Sequence, residues 1–340
     1  VEASVTTDDK GASTPHHDEA AASLSKVQAP EVAVPSIEGL PTEMLSARAP
    51  ERVSGEGDDK GELDVISGFD HPSAVLYDAQ SDRYLVSNLR SGEDGAGPGY
   101  IARVDPDGTI EAPRWIDGAS RRARLKTPRG LAIIRGRLYV ADGAVVRVYD
   151  RVSGVRRGVI KLPGASQLSG IARGVSDSLL VCDASYRADG RPAGTDAVYR
   201  INRAGRVSAL FRSAVLGHPA GVSYIGKTVW IATTGSGKLH GLKANGTLIA
   251  GPKLDEGGLT GLIEIERGDV IITSQVAQGL YRGSLDGSFT YIKGDIGAPG
   301  HPGWDPTRRR VLVPSKDSGL VHVVVLPAKE PRVRRRRPPG

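Results

Sequence analysis

The chain has 340 residues, with 45 Lys and Arg, 39 Asp and Glu, 44 Gly, 22 Pro and one Cys, and a formal net charge of +6. This length suits one large all-β domain or two ordinary ones, and a hydrophobic fraction of 39% excludes a wholly disordered chain. A single cysteine excludes an internal disulfide framework and any multi-cysteine metal site, and no apolar run is long enough for a transmembrane helix.

Residues 1–61 read as a flexible acidic and polar lead. Over 1–62 there are 13 acidic and five basic side chains and no aromatic residue. The chain starts at Val1, with no basic start and apolar stretch ahead of it. This fits a processed periplasmic, cell-surface or secreted protein whose signal peptide has been removed. Residues 328–340 read as a basic disordered tail, with Arg332 and Arg334–Arg337 as its cluster. The positive charge is therefore split between the middle and the tail. No recognition helix or aromatic platform accompanies it, so no nucleic-acid partner is expected.

The middle, 62–327, is a repeat. Turns precede similar apolar stretches at His71-Pro72-Ser73-Ala74, Thr127-Pro128-Arg129-Gly130, Gln167-Leu168-Ser169-Gly170, His218-Pro219-Ala220-Gly221, Gly258-Leu259-Thr260-Gly261 and His301-Pro302-Gly303-Trp304. Each opens a short strand. A stronger apolar strand follows, as in Tyr84–Ser87, Leu138–Ala141 and Leu179–Cys182, and a third comes after it, as in Tyr100–Val104, Val145–Tyr149 and Ala197–Ile201. Asp107-Gly108, Asn245-Gly246 and Asp286-Gly287 supply hairpin turns into a fourth strand. No comparable window has helical periodicity, which excludes a nucleotide-binding parallel sheet. A small sheet of this kind cannot bury both faces alone, so six of them stack radially. The fold class is all-β, a six-bladed β-propeller. The sixth unit lacks a fourth strand, and Glu62–Ser67 has no other role. Those residues are expected to supply the outermost strand of the last blade and close the ring.

The string Phe69-Asp70-His71-Pro72-Ser73-Ala74-Val75-Leu76-Tyr77-Asp78, followed by Arg83–Asn88, resembles the first blade of a secreted bacterial propeller group. That group is similar to NHL-repeat propellers and to the superfamily of gluconolactonase, senescence marker protein (SMP-30), strictosidine synthase and paraoxonase. The resemblance implies the six-bladed fold over about 65–327 and a site at the mouth of the central channel. It includes calcium-dependent lactonases, so fold alone does not choose the chemistry. In those relatives Glu, Asn and Asp near the blade-start turns hold the metal. The matching positions here read Ser73, Arg129, Ser169, Ala220, Thr260 and Gly303. Calcium needs several oxygen ligands and negative charge, so no metal or cofactor is expected, with calcium as the alternative.

Other polar residues lie near the blade turns. Asn88, Asp142 and Asp183 follow second strands and are candidates for the channel mouth, although such residues also cap turns locally. His71, His218 and His301 each precede a proline, and three convergent histidines would suit zinc. Insertions at Arg90–Gly99 and Ser185–Thr195, the second carrying Tyr186 and Arg187, lengthen links on the same rim and are candidate walls or lids. Arg121, Arg122, Arg124, Lys126 and Arg129 make a basic run, and Arg129 is the contact expected for an anionic ligand at the mouth. Cys182 ends an apolar strand and reads as buried and inert.

Two function classes remain. The first is an exported, monomeric propeller that binds a small molecule, glycan or protein at the channel-mouth rim without clear catalytic machinery. Its binding candidates are Ser73, Arg129, Ser169, Thr260, His71, His218, His301, Asn88, Asp142 and Asp183. The second is a lactonase- or esterase-like hydrolase with an atypical site.

Overall fold

The computed structural model describes residues 63–89, 97–187 and 189–327. The lead at 1–61, the tail at 328–340 and most of the first insertion, 90–96, lie outside the described residues.

Six four-stranded antiparallel sheets follow one another along the chain. The first blade is β2 (Pro72–Asp78), β3 (Arg83–Asn88), β4 (Tyr100–Val104) and β5 (Ile110–Asp117). The second is β6 (Pro128–Ile134), β7 (Arg137–Asp142), β8 (Val145–Asp150) and β9 (Arg156–Lys161). The third is β10 (Leu168–Arg173), β11 (Leu179–Asp183), β12 (Ala197–Ile201) and β13 (Val207–Arg212). The fourth is β14 (Pro219–Ile225), β15 (Thr228–Thr233), β16 (Leu239–Leu242) and β17 (Leu248–Ala250). The fifth is β18 (Leu259–Glu266), β19 (Asp269–Ser274), β20 (Gly279–Gly283) and β21 (Phe289–Lys293). The sixth has β22 (Gly303–Asp305), β23 (Arg310–Ser315) and β24 (Leu320–Val325) from the end of the domain. Its fourth strand is β1 (Val65–Ile66), which pairs with β24 through Val65 opposite His322 and Ile66 opposite Val321. The ring is closed by the segment the sequence left without another role.

Burial explains the stacking. Each interface between neighbouring blades holds its own apolar cluster. Tyr84, Val86, Leu312 and Val321 join the first blade to the sixth, and Val181, Tyr199, Ala141 and Val146 join the third to the second. A side chain of this kind contributes roughly 1.5–3 kcal/mol when fully buried, and a lone blade would leave both faces wet. The fourth strands form the outer edges and carry polar and charged side chains, as in β9 with Arg156, Arg157 and Lys161.

The innermost strands set the channel. In blades one to five each carries a bulge at its start, between Pro72 and Ala74, Pro128 and Leu131, Leu168 and Ile171, Pro219 and Gly221, and Leu259 and Gly261. A bulge adds a residue and re-aims its side chain. The sixth blade shows the same offset. Pro299 bridges to Ser315, while Gly303 pairs with Leu312. This corrects the sixth repeat unit. Its turn is Ala298-Pro299-Gly300-His301, three residues earlier than the His-Pro string suggests. Gly300, not Gly303, takes the place of Ser73, and His301 takes the place of Ala74. The His-Pro match misleads because a proline occurs at both positions, and only strand pairing fixes register.

Candidate functional site: the mouth of the channel

The inner strands stack side chains around the axis in rings. The bulge ring is Ser73, Arg129, Ser169, Ala220, Thr260 and Gly300, and all six line a cavity of about 360 Å³ at one end of the channel. The next ring is Ala74, Gly130, Gly170, Gly221, Gly261 and His301. Backbones approach closely here. A Cβ on Gly170 would lie 2.3 Å from the Ala220 carbonyl oxygen, and one on Gly261 would lie 2.3 Å from Pro302 Cδ. His301 is the one large side chain in this ring. Below it Val75, Leu131, Ile171, Val222, Leu262 and Pro302 form an aliphatic ring in a second cavity of about 240 Å³. His301 lines both cavities and stands between them.

Hydrogen bonds hold His301 in place. Its backbone N–H donates to the Ser73 carbonyl at 2.9 Å, and its carbonyl accepts from Val75 N–H at 3.1 Å. These two bonds also seal the sixth blade to the first. Its Nε2 lies 3.2 Å from Ser169 Oγ. Burial, and then the nearby Arg129 charge, lower its pKa to about 4, so the ring is neutral at physiological pH.

Arg129 is the unusual group. Its Nε is buried without a hydrogen-bond partner, and its guanidinium has no ion pair among the described residues. Desolvation lowers its pKa from the usual value. A buried Nε–H without an acceptor is costly, and a desolvated guanidinium charge without a counter-charge adds to that cost. Around it the cavity wall carries Arg187, Lys316, Tyr186, Gln167 and Gln275. No carboxylate lines this cavity among the described residues.

The other sequence candidates fall into two groups. Ser73, Arg129, Ser169, Thr260 and His301 converge on the mouth. Thr260 is occupied there, since its hydroxyl donates to the Pro299 carbonyl at 2.6 Å and lies 2.9 Å from Thr273 Oγ1. Asn88, Asp142 and Asp183 do not line the cavity. They end β3, β7 and β11, fully buried, and tie down the segment that enters each inner strand. Asn88 Oδ1 accepts from Asp70 N–H. Asp142 Oδ1 accepts from the N–H groups of Lys126 and Thr127, and its other oxygen pairs with Arg147. Asp183 accepts from the N–H groups of Ser166, Gln167 and Ser185. Thr233, Ser274 and Ser315 fill the equivalent places in the remaining blades. Ser274 donates to the Gly257 carbonyl at 2.5 Å, and Ser315 to the Gly297 carbonyl at 2.7 Å. These six residues are a structural clamp.

The three histidines do not converge. His71 and His218 are turn residues with φ of 53° and 60°, outside the bulge ring, whereas His301 faces the channel. His71 Nδ1 contacts its neighbour Asp70 at 3.0 Å. His218 Nδ1 lies 2.8 Å from the Ala184 carbonyl and its ring stacks on Tyr186 at 4.3 Å. No group of three or more metal-ligating side chains occurs among the described residues. Among its described lining residues the mouth offers hydroxyls, amides and cationic side chains but no carboxylate, the anionic oxygen that calcium favours. Cys182 is fully buried, and burial pushes its thiol pKa up.

Several mouth residues escaped the sequence reading. Leu89, Ala184, Thr234, Gln275 and Lys316 each follow a clamp residue and line the cavity. A polar or small residue ending each second strand, with its successor facing the mouth, is the signal that would have found them. Tyr186 and Arg187 come from the second insertion, which does form part of the wall. The exposed Arg121, Arg124 and Lys126 instead line a separate groove with Arg147, away from Arg129.

No family model matches the chain, and no curated protein sequence matches it significantly. Solved structures do match in shape. A gluconolactonase from Xanthomonas campestris superposes with a TM-score of 0.61 at 13% identity, covering 76% of this chain and 88% of that one. A putative gluconolactonase gives 0.59 at 14% identity, covering 77% and 94%. A catalytically inactive histidine-to-alanine virginiamycin B lyase from Staphylococcus aureus, solved with quinupristin, gives 0.52 at 12% identity, covering 77% and 98%. At these identities the likeness establishes a shared six-bladed propeller fold. No helix among the described residues is long and apolar enough to cross a membrane.

Proposed function

We propose that this propeller binds a small anionic molecule, such as a carboxylate or another oxyanion, in the mouth of its channel. One observation carries the reading: Arg129 presents to the cavity a half-buried guanidinium whose Nε is buried and unbonded and which has no ion pair among the described residues, and no carboxylate is among the described lining residues. A guanidinium forks onto a carboxylate or phosphate with two parallel hydrogen bonds. Arg187 and Lys316 add positive charge on the wall, and Ser169 adds a hydroxyl donor. A calorimetric screen of small carboxylates, sulfate and inorganic phosphate tests this. Saturable binding that Arg129→Gln abolishes is the expected result. Equal heats for the two proteins would overturn it.

A hydrolase reading has one observation in its favour, the 3.2 Å approach of Ser169 Oγ to His301 Nε2. Two features weaken it. A histidine with a pKa of about 4 is a poor general base near neutrality. Among the described residues no carboxylate is hydrogen-bonded to its ring to orient it and stabilise its charged form. A lactone and aryl-ester screen with Ser169→Ala as control separates the two readings. Turnover lost in that variant would favour hydrolysis.

A further inference from the structure

We propose that anion binding at the mouth is coupled to protonation of His301, so that the site takes up a proton together with its ligand. The inference rests on the anion-binding reading above and concerns the regulation of that same site.

The geometry is specific to one blade. Five of the six inner strands place Ala or Gly in the ring below the bulge, and the sixth places His301 there. The imidazole therefore forms the floor of the mouth cavity. Ser169 Oγ is its hydrogen-bond partner, at 3.2 Å from β10. Arg129 acts on it from β6, and the Arg129 charge opposes its protonation. On the side of β2, Ser73 and Ala74 offer no ionisable group. Towards β18, Thr260 is neutral, and on the wall Arg187 and Lys316 are cationic. Beneath lies the aliphatic ring, and the cavity it lines also carries the cationic Arg173 and the phenol of Tyr77.

In this setting a proton on His301 would put a second positive charge beside a buried first one. The empty site therefore favours the neutral imidazole. An anion on Arg129 reverses the balance. It cancels the field that opposes protonation, and it supplies an acceptor to the imidazolium, whose two N–H groups are both donors. Linkage then requires the reverse effect: a protonated His301 must bind the anion more tightly. If the bound anion restores an ordinary histidine pKa, affinity rises roughly twentyfold between pH 7 and pH 5.

Sulfate is a suitable probe because it does not itself titrate in this range. The full chain is titrated with sodium sulfate by calorimetry at pH 7 and pH 5, in two buffers of different ionisation enthalpy. In parallel, the His301 ring resonances are followed by NMR against pH with and without sulfate. The expected results are roughly twentyfold tighter binding at pH 5, a heat that changes with buffer, and a His301 pKa raised by sulfate. His301→Gln should bind with an affinity that does not change between the two pH values. Arg129→Gln should bind at neither. Sulfate binding that depends on Arg129 but is flat with pH, with an unmoved His301 titration, would overturn the coupling and leave the anion site standing. Equal behaviour of wild type and Arg129→Gln at both pH values would overturn both.

Discussion

Two polar rings surround the same channel, and they differ in one respect. The clamp ring of Asn88, Asp142, Asp183, Thr233, Ser274 and Ser315 is fully buried and every member is hydrogen-bonded. The bulge ring, one strand inward, holds Arg129 with a buried Nε that bonds to nothing. Buried polar groups in a folded protein are normally satisfied, because an unmatched one costs about 1–3 kcal/mol and more when charged. The clamp ring therefore explains itself as structure. Arg129 does not, and the unbonded Nε is the observation on which the anion-binding proposal rests. Residue type alone separates the rings poorly, since the aspartates look more like ligands than the serines do.

Substitutions can break this contrast in order of effect. Asp142→Ala should cost the most, on the order of 3–5 kcal/mol, because it strands two N–H groups and leaves Arg147 without its carboxylate. Urea unfolding of the variant measures this, and a loss below about 1 kcal/mol would contradict the clamp. Arg129→Met should act in the opposite way. It should leave stability unchanged or raise it by about 1 kcal/mol, while abolishing measurable anion binding. Thermal melting and calorimetry on one sample read both quantities.

A pH series sharpens the comparison further. His301 has a folded pKa of about 4 against an ordinary value of 6.5. The unfolded chain thus takes up its proton first as pH falls. Stability should be full above about pH 6.5 and decline on the order of 3 kcal/mol towards pH 4. His301→Gln should flatten that segment, as seen in urea midpoints from pH 7.5 to 4. Ser274→Ala should have the smallest effect, about 1–2 kcal/mol, since it removes one hydroxyl that donates to Gly257 and accepts from Ala277 N–H. Equilibrium unfolding at pH 7 checks this, with no change in anion affinity.

The candidate site was partly legible in the sequence. Ser73, Arg129, Ser169 and Thr260 could be placed at the mouth because the turn before each inner strand repeats. Arg129 stood out because a cation replaces the acidic residue that a metal site would need. Asn88, Asp142 and Asp183 were ambiguous, since an aspartate that caps a backbone segment and one that faces a ligand have the same letter. His301 was grouped with His71 and His218 by its following proline, and the true register places it one ring deeper. Lys316 and Gln275 gave no signal of their own, because their neighbours in the ring come from other blades.

The sequence by itself determined the six units, their strands and the closing role of the segment before the first blade. These follow from local patterns: apolar runs with a period of two, turn residues between them, and one strand too few at the end. Tertiary structure decided which polar side chains are satisfied and which are left facing the channel. That depends on bulges, on pairing register and on residues brought together from different blades, such as Ser169 and His301, which are 132 positions apart. Hydrogen bonding and desolvation act through space, and no spacing along the chain encodes them for a pair so distant.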